Sequence, residues 1–161
     1  MNYFKYTDNE VNIGEIAYLE LDEEYYCFRA VFAAQNKLWT TNFIQEIYFL
    51  PEGSWYDVLD MLEKISEKEF NNLWERALKP FIGKWNKTKN NNSTGNIVKT
   101  KFACNYPQGI ILSINETFYG IADYDECKMK YGWERLYPRS EFDMKIIGYD
   151  EKNMWLELKP M

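Results

Sequence analysis

Short apolar and aromatic runs separated by turn residues fill the last third of the chain, and they constrain the fold more than any other feature. The runs cover residues 95–104, 110–114, 118–122, 142–148 and 155–158. Runs of this length, rich in Val, Ile and aromatic side chains and bounded by Gly, Pro and Asp, predict strands. The alternation over 110–114 and 154–158 predicts that one face of each strand is buried while the other is partly wet. We therefore expect a small five-stranded β-barrel over about residues 95–160.

The sequence pattern of the first 50 residues also predicts strands. Runs at 16–21, 25–34 and 38–41 are separated by short polar turns, which is the pattern of an antiparallel meander. Residues 43–50 form a further candidate strand that ends at Pro51.

Two helices are predicted after this meander. Ser54 is an N-cap candidate for a helix over about 54–65. Ser66 and Glu69 form a capping box for a second helix over about 67–79. The apolar faces, which we expect to pack on the N-terminal sheet, contain Trp55, Val58, Leu59 and Leu62 in the first helix and Phe70, Leu73, Trp74, Ala77 and Phe81 in the second.

Residues 84–94 are polar and rich in Asn and Lys, a composition typical of an exposed loop or linker. They divide the chain into expected domains at 1–83 and 95–161.

Charge is unevenly distributed along the 161 residues, whose net charge is −6. Residues 1–80 contain 7 basic and 15 acidic side chains, residues 81–103 contain 5 lysines and no acid, and residues 104–161 contain 7 basic and 10 acidic side chains. Because phosphate neutralisation dominates affinity for nucleic acids, the overall acidity disfavours RNA and favours a protein partner with a basic surface.

The residue types exclude several kinds of chemistry. The chain has no histidine, which excludes His-based triads, histidine general bases and histidine metal ligands. It has no Gly-rich phosphate loop, and the widely separated Cys27, Cys104 and Cys127 match neither a zinc motif nor a disulfide framework. We therefore expect a protein that is not an enzyme and that uses no cofactor or metal. Free thiols, together with the lack of an apolar signal segment or a membrane-length run, predict a cytoplasmic protein that does not enter a membrane.

Five motifs follow one another in the C-terminal runs. They are Gly95-Asn-Ile-Val98, Pro107-Gln-Gly109-Ile-Ile-Leu112, Gly120-Ile121, Met144-Lys-Ile-Ile-Gly-Tyr-Asp150 and Leu156-Glu-Leu-Lys159. In this order and spacing they resemble the S-one RNA-binding domain, a repeat named after a large protein of the ribosomal small subunit. The resemblance covers about residues 93–160, roughly two fifths of the chain, and it implies an OB-fold that binds single-stranded RNA. The expected fold class is thus α+β: an N-terminal antiparallel β-meander with two helices, then a C-terminal five-stranded OB-like barrel.

The departures from this family concern the residues that contact bases. Where the family has two aromatic residues, a histidine and a serine, this chain has Gln108, Ile111, Asp123 and Glu157. The resemblance therefore implies a retained barrel without the usual base-stacking set. Its core is expected to contain Ile97, Ile111, Ile114, Ile121, Ile146 and Leu156, with Gly109 at a turn and Gly120 at a site of close packing.

Two hypotheses of function follow. The first is a non-enzymatic binding protein that acts through protein–protein contacts, by analogy with small acidic bacterial inhibitors and immunity proteins that mask basic toxins. Its candidate contacts are Asp22, Glu23, Glu24 and Tyr25. The alternative is a single-stranded RNA-binding module, in which lysines hold phosphates and aromatic rings stack on bases. Its candidate contacts are Lys84, Trp85, Lys87, Lys89, Lys99, Lys101, Phe118 and Tyr119.

Overall fold

The computed structural model describes residues 1–7, 15–43, 49–114, 118–138 and 140–161. These residues form two compact units, Met1–Pro80 and Phe81–Met161. Residues 84–94 therefore belong to the second unit instead of joining two domains. Most of the candidate strand at 43–50 lies outside the described residues.

The first unit is built on an antiparallel sheet. Its strands are β1 (Asn2–Thr7), β2 (Ile16–Leu21), β3 (Cys27–Ala34), β4 (Lys37–Thr40) and β5 (Glu63–Lys64). They lie in the order β4-β3-β2-β1-β5, so β2, β3 and β4 form the predicted meander, and β1, which was not predicted, extends it. Leu19, Leu21, Ala30 and Val31 supply fully buried side chains on β2 and β3.

The helix predicted over 54–65 is wrong, because only a 3₁₀ helix at Tyr56–Met61 forms there. Backbone hydrogen bonds to the sheet hold the segment at both ends. The Trp55 N–H donates to the Tyr25 carbonyl at 3.0 Å, and the Ile65 N–H donates to the Tyr3 carbonyl at 3.0 Å. This tertiary pairing leaves too few residues for an α-helix, although the Trp55 ring does pack on the sheet, 5.7 Å from the ring of Tyr6.

The second predicted helix is confirmed as α1 (Glu67–Leu78). The Ser66 hydroxyl accepts a hydrogen bond from the Glu69 N–H at 3.1 Å, which is the expected N-cap. The buried face contains Phe70, Trp74, Ala77 and Leu78, while Leu73 and Phe81 are only half-buried. The Phe70 ring lies 5.5 Å from that of Tyr3 on β1, which places this face on the sheet as predicted.

The prediction of a loop or linker over 84–94 is also wrong, because α2 (Ile82–Asn91) covers most of it. Trp85 and Thr88 are buried on α2, and most of its other positions are exposed Lys and Asn residues. Two buried residues in a segment of Lys and Asn are too few to reveal an amphipathic pattern in the sequence.

The second unit contains the expected five-stranded barrel. Its strands are β6 (Ile97–Tyr106), β7 (Gly109–Ser113), β8 (Tyr119–Ala122), β9 (Glu141–Asp150) and β10 (Trp155–Pro160), and α3 (Tyr124–Tyr131) lies between β8 and β9. The barrel is closed in the order β10-β8-β7-β6-β9. The pairing of β8 with β10 is parallel and the other pairings are antiparallel, so the barrel is mixed.

The barrel core agrees with the prediction in part. Ile111, Ile146 and Leu156 are fully buried, whereas Ile114 and Ile121 are half-buried. Ile97 is 57% exposed, which contradicts the prediction, because its register places it opposite the exposed Lys145. The prediction that one face of the strand over 110–114 is partly wet is also wrong for the first residues of that strand, since Ile110, Ile111 and Leu112 are all buried.

The two glycines behave as predicted. Gly109 follows the turn after β6 with φ +147°, and a Cβ there would lie 2.5 Å from the Ala122 carbonyl oxygen. A Cβ on Gly120 would lie 2.8 Å from the carbonyl oxygen of Leu156 on the parallel neighbour β10. Both contacts involve backbone atoms, so a side chain at either position forces the strands apart.

Candidate functional site

The acidic turn between β2 and β3 is held by its own first residue. The Asp22 carboxylate accepts hydrogen bonds from the N–H groups of Glu24 at 2.9 Å and Tyr26 at 2.8 Å. The Asp22 N–H donates in turn to the Tyr26 carbonyl at 3.0 Å. Asp22 was predicted to contact a partner, but its carboxylate is engaged in building the turn that presents Glu23 and Glu24, which are both exposed.

The segment before the 3₁₀ helix Tyr56–Met61 supports this turn. The Ser54 hydroxyl donates to the Glu24 carbonyl at 2.7 Å. The ring of Tyr25 is half-buried between those of Phe4 at 6.4 Å and Tyr56 at 5.9 Å. Tyr25 therefore supports the turn, whereas the sequence predicted that it would be an exposed contact for a partner.

These bonds assemble a surface of exposed acidic and tyrosine side chains, which we call the acidic tyrosine surface. It consists of Glu23, Glu24, Tyr26, Tyr56 and Asp57. Tyr56 is 66% exposed, although its ring contacts Tyr25. Sequence reasoning missed Tyr26 and Tyr56, because a tyrosine in a β-rich chain is most often part of the core. Residue 56 is brought beside the turn by the hydrogen bonds that Ser54 and Trp55 donate to it.

The four α2 residues of the predicted nucleic-acid surface, Lys84, Trp85, Lys87 and Lys89, differ in exposure. Trp85 is 2% exposed, and its indole N–H donates to the Glu151 carboxylate at 2.7 Å. Lys89 pairs with the same carboxylate at 2.6 Å. The prediction that Trp85 stacks on bases is therefore wrong, because its indole is buried within the second unit. Lys84 and Lys87 are exposed on the same helix, and the Lys84 ammonium lies 5.9 Å from the Phe81 ring.

The contact of Glu151 with Lys89 predicts a pH dependence of stability. The hydrogen bond from Lys89, together with that from Trp85, holds the pKa of the Glu151 carboxyl below its usual value. A lowered folded-state pKa contributes stability that is present at neutral pH and is lost as the pH falls through that pKa. Glu151→Gln should therefore lower the urea midpoint slightly at neutral pH, and the difference from the unaltered protein should vanish in acid. Lys89→Met should show the same dependence, and a difference that grows in acid would contradict this role.

A second candidate surface lies across four strands of the barrel. Glu141 on β9, Lys101 on β6, Ser113 on β7 and Tyr119 on β8 stand next to one another in register. With Lys99, they line an open cleft of about 470 Å³. The structure therefore brings together three residues of the RNA hypothesis, Lys99, Lys101 and Tyr119, which are up to 20 positions apart in the sequence.

The electrostatics of this cleft are mixed. The Lys101 ammonium lies 3.4 Å from the Glu141 carboxylate, and both side chains are exposed. Burial raises the pKa of the Tyr119 hydroxyl, which keeps it protonated. Phe118, which the sequence placed with these residues, is buried 6.1 Å from the Trp85 ring, so its prediction as a base contact is wrong.

No protein-family model matches the chain, and no curated protein is significantly similar to it. The S-one resemblance thus remains a prediction, and the closed five-stranded barrel is what the structure establishes.

Other chemical features of the described residues are limited. Burial raises the pKa values of all three thiols, to about 12 for Cys104 and about 11 for Cys127, with Cys27 higher still. Among the described residues, no group of three or more Cys, Asp and Glu side chains is arranged to hold a metal ion. None of the helices in this part of the chain has the length and apolar character needed to span a bilayer.

Proposed function

We propose that the protein is a non-enzymatic binding protein whose acidic tyrosine surface contacts a basic protein partner. The observation that supports this most directly is Tyr56, which is 66% exposed although its ring lies 5.9 Å from that of Tyr25, on the hydrogen-bonded turn that presents Glu23 and Glu24. Tyrosines are enriched among the residues that dominate binding energy at protein interfaces. A large ring that remains in water on a well-supported turn is suited to such a contact.

The turn is preorganised, which favours affinity. Asp22, Ser54 and the backbone of residue 55 fix the positions of Glu23 and Glu24 before any partner arrives. Binding therefore does not have to order the backbone of this turn, which removes that part of the entropic cost of association.

Charge indicates the chemistry of the partner. The unit Met1–Pro80 has 7 basic and 15 acidic side chains, a net charge of −8. A field of this sign accelerates encounter with a basic protein and repels polyanions. A small inhibitor or immunity-like protein that masks a basic effector is the kind of function that this surface fits.

The thiols support a binding role over catalysis. A cysteine nucleophile needs a lowered pKa or an adjacent base, but the three cysteines have raised pKa values and the chain has no histidine.

The test is affinity capture from the native host with matched charge variants. We expect the unaltered protein to retain a basic protein in a stoichiometric complex, and Glu23→Lys and Tyr56→Ala to lose it. Glu75→Lys makes the same charge change on the exposed side of α1 and should retain the partner. Recovery of RNA alone, or equal capture by Glu23→Lys and Glu75→Lys, would reject the proposal.

A second candidate function, binding of single-stranded RNA by an OB-like barrel of the S-one type, is favoured by the barrel cleft. Lys99 and Lys101 lie there on β6, beside Tyr119 on β8, the third strand of the barrel, and OB-folds bind oligonucleotides on the face of their second and third strands. The unit Phe81–Met161 has 12 basic and 10 acidic side chains, so the acidity of the chain belongs to the other unit. Within the second unit, the charge objection to RNA is therefore weaker than the whole-chain value suggests.

Titration of a fluorescent oligouridine tests this alternative. Lys99→Glu with Lys101→Glu should abolish binding, whereas Lys84→Glu with Lys87→Glu on α2 makes the same charge change outside the cleft and should preserve it. Affinity should fall steeply with salt, since each displaced counterion contributes to the slope. Equal losses in the two double variants would show that binding is unspecific attraction to lysine.

A further inference from the structure

A row of three aromatic rings leads from the sheet of the first unit out to solvent. The Phe4 ring on β1 lies 6.4 Å from that of Tyr25, and the Tyr25 ring lies 5.9 Å from that of Tyr56. Phe4 and Tyr25 are half-buried, whereas Tyr56, the last of the three, is 66% exposed. The sheet therefore supports a tyrosine ring that stays largely in water.

The middle ring of this row belongs to a residue with a strained backbone. Tyr25 has a φ of +63°, in the left-handed region that favours Gly and Asn over aromatic residues. Its N–H donates to the Asp22 carbonyl at 3.3 Å, and its carbonyl accepts from the Trp55 N–H at 3.0 Å. Strain that the surrounding structure maintains in this way is concentrated at functional sites. Here it accompanies a ring held between Phe4 and Tyr56.

Hydrogen bonds join the two segments that carry Tyr56 and the carboxylates of the turn. The Ser54 hydroxyl donates to the Glu24 carbonyl at 2.7 Å and accepts from the Tyr56 N–H at 3.3 Å. One hydroxyl group therefore links the backbones of Glu24 and Tyr56, and Asp57 follows directly in the chain. Both carboxyl groups are exposed.

The charge around this ring remains negative when the neighbouring cations are counted. Residues 22–24 and 52–60 contain six carboxylates and neither Lys nor Arg. On the adjoining strands, Lys5 pairs with Glu63 at 3.1 Å, and Lys64 lies opposite Phe4 in register. One further cation against six carboxylates leaves the region strongly acidic. A positively charged side chain is therefore attracted to it.

We propose that Tyr56 binds the guanidinium group of an arginine on the partner protein, and that Tyr25 is the residue that positions the Tyr56 ring. A cation over an aromatic ring is attracted to the face of that ring. A guanidinium is planar and weakly hydrated, so it lies flat on a ring while its N–H groups donate to carboxylates at the side, whereas an ammonium is a strongly hydrated point charge. The inference rests on the proposed function, since it uses the same surface, and it specifies which basic side chain the partner offers.

Two capped tripeptides that differ only in the cation, acetyl-Gly-Arg-Gly-amide and acetyl-Gly-Lys-Gly-amide, test this preference. The full chain is titrated with each at low salt, and binding is followed by NMR through the amide signals of Glu23 and Glu24. The arginine peptide should bind about two- to fivefold more tightly, which is the contribution of a cation–π contact at an exposed ring. Tyr56→Phe should keep this preference, and Tyr56→Leu should lose it. Tyr137→Leu removes a tyrosine that is 57% exposed in the other unit and, as the matched control, should keep it.

Tyr25→Asn tests the positioning role. Asn tolerates the left-handed backbone, so this variant keeps the turn while it removes the ring beside Tyr56. The ratio of the two affinities should fall towards one, and Tyr25→Phe should restore it. A purely structural role would weaken both peptides equally, so an unchanged ratio in Tyr25→Asn overturns the role of Tyr25.

Equal binding of the two peptides by the unaltered protein, or a preference that survives Tyr56→Leu, overturns the arginine contact. Capture from the native host separates this outcome from a failure of the proposed function. If a basic protein is retained while the peptides bind equally, only the arginine contact is wrong. If the peptides show the preference and no protein is captured, the arginine contact stands and the proposed function is wrong.

Discussion

Glu20→Ala is expected to lower the free energy of unfolding by about 3–5 kcal/mol, the range found when one partner of a buried ion pair is removed. Glu20 and Arg29 are 4% and 2% exposed and lie opposite each other on β2 and β3. The guanidinium donates to both carboxylate oxygens, at 2.5 and 2.9 Å. Its carbon lies 4.9 Å from the ring of Phe70 and 4.8 Å from that of Trp74 on α1.

The loss is large because the remaining charge cannot reach water. Arg29 Nη1 already has no hydrogen-bond partner within the described part of the chain, and Glu20→Ala also takes away the partners of Nε and one bond of Nη2. The Tyr3 hydroxyl, which donates to Glu20 at 3.0 Å, loses this hydrogen bond as well.

Urea unfolding of Glu20→Ala and of the double variant Glu20→Met, Arg29→Met checks this account. The double variant removes both charges and fills the space with apolar atoms, so it should be more stable than Glu20→Ala. A double variant that is less stable than the single one would show that the pair itself, and not the orphaned guanidinium, sets the cost.

This pair also shows what sequence patterns do not contain. Glu20 and Arg29 each lie inside an apolar run, and neither run indicates which residues stand opposite each other. The register is fixed by the turn that Asp22 holds and by an irregularity after Glu20, where Leu21 pairs with Cys27. Cross-strand partners depend on these details of turn geometry, which the sequence specifies only weakly.

The barrel was more predictable, because turn chemistry and apolar runs determine it locally. Gly109 and Gly120 were recognisable from their positions between runs, and the structure shows the backbone contacts that require them. The prediction that Ile97 lies in the barrel core was wrong, because an apolar residue near a strand end can face outward. The alternation of apolar and polar residues there continues for only a few residues. The α2 helix was not predicted, because only two of its residues, Trp85 and Thr88, are buried.

The candidate surfaces were predictable only as separate pieces. Glu23 and Glu24 were identified from charge, but Tyr56 joins them through the Ser54 hydroxyl, a contact across 30 positions. Lys99, Lys101 and Tyr119 were named from composition, and strand register then selected them from the other predicted residues. Composition indicates which residue types are present, whereas exposure and proximity follow from topology.

Trp74→Ala is expected to lower the free energy of unfolding by about 3–5 kcal/mol, through the lost burial of the indole and the cavity that it leaves. Trp74 is 2% exposed, its ring stacks on that of Phe70 at 6.2 Å, and Arg29 covers it. The cavity would therefore open beside a buried charge, and α1 has no other large aromatic side chain at this end of its buried face with which to refill it.

Trp133→Ala removes the same side chain from the exposed surface of the other unit and should change stability by less than about 0.5 kcal/mol. Amide hydrogen exchange should show the loss in Trp74→Ala as reduced protection in the unit Met1–Pro80, where the indole is buried. Equal effects of the two substitutions would contradict the packing of α1 on the sheet.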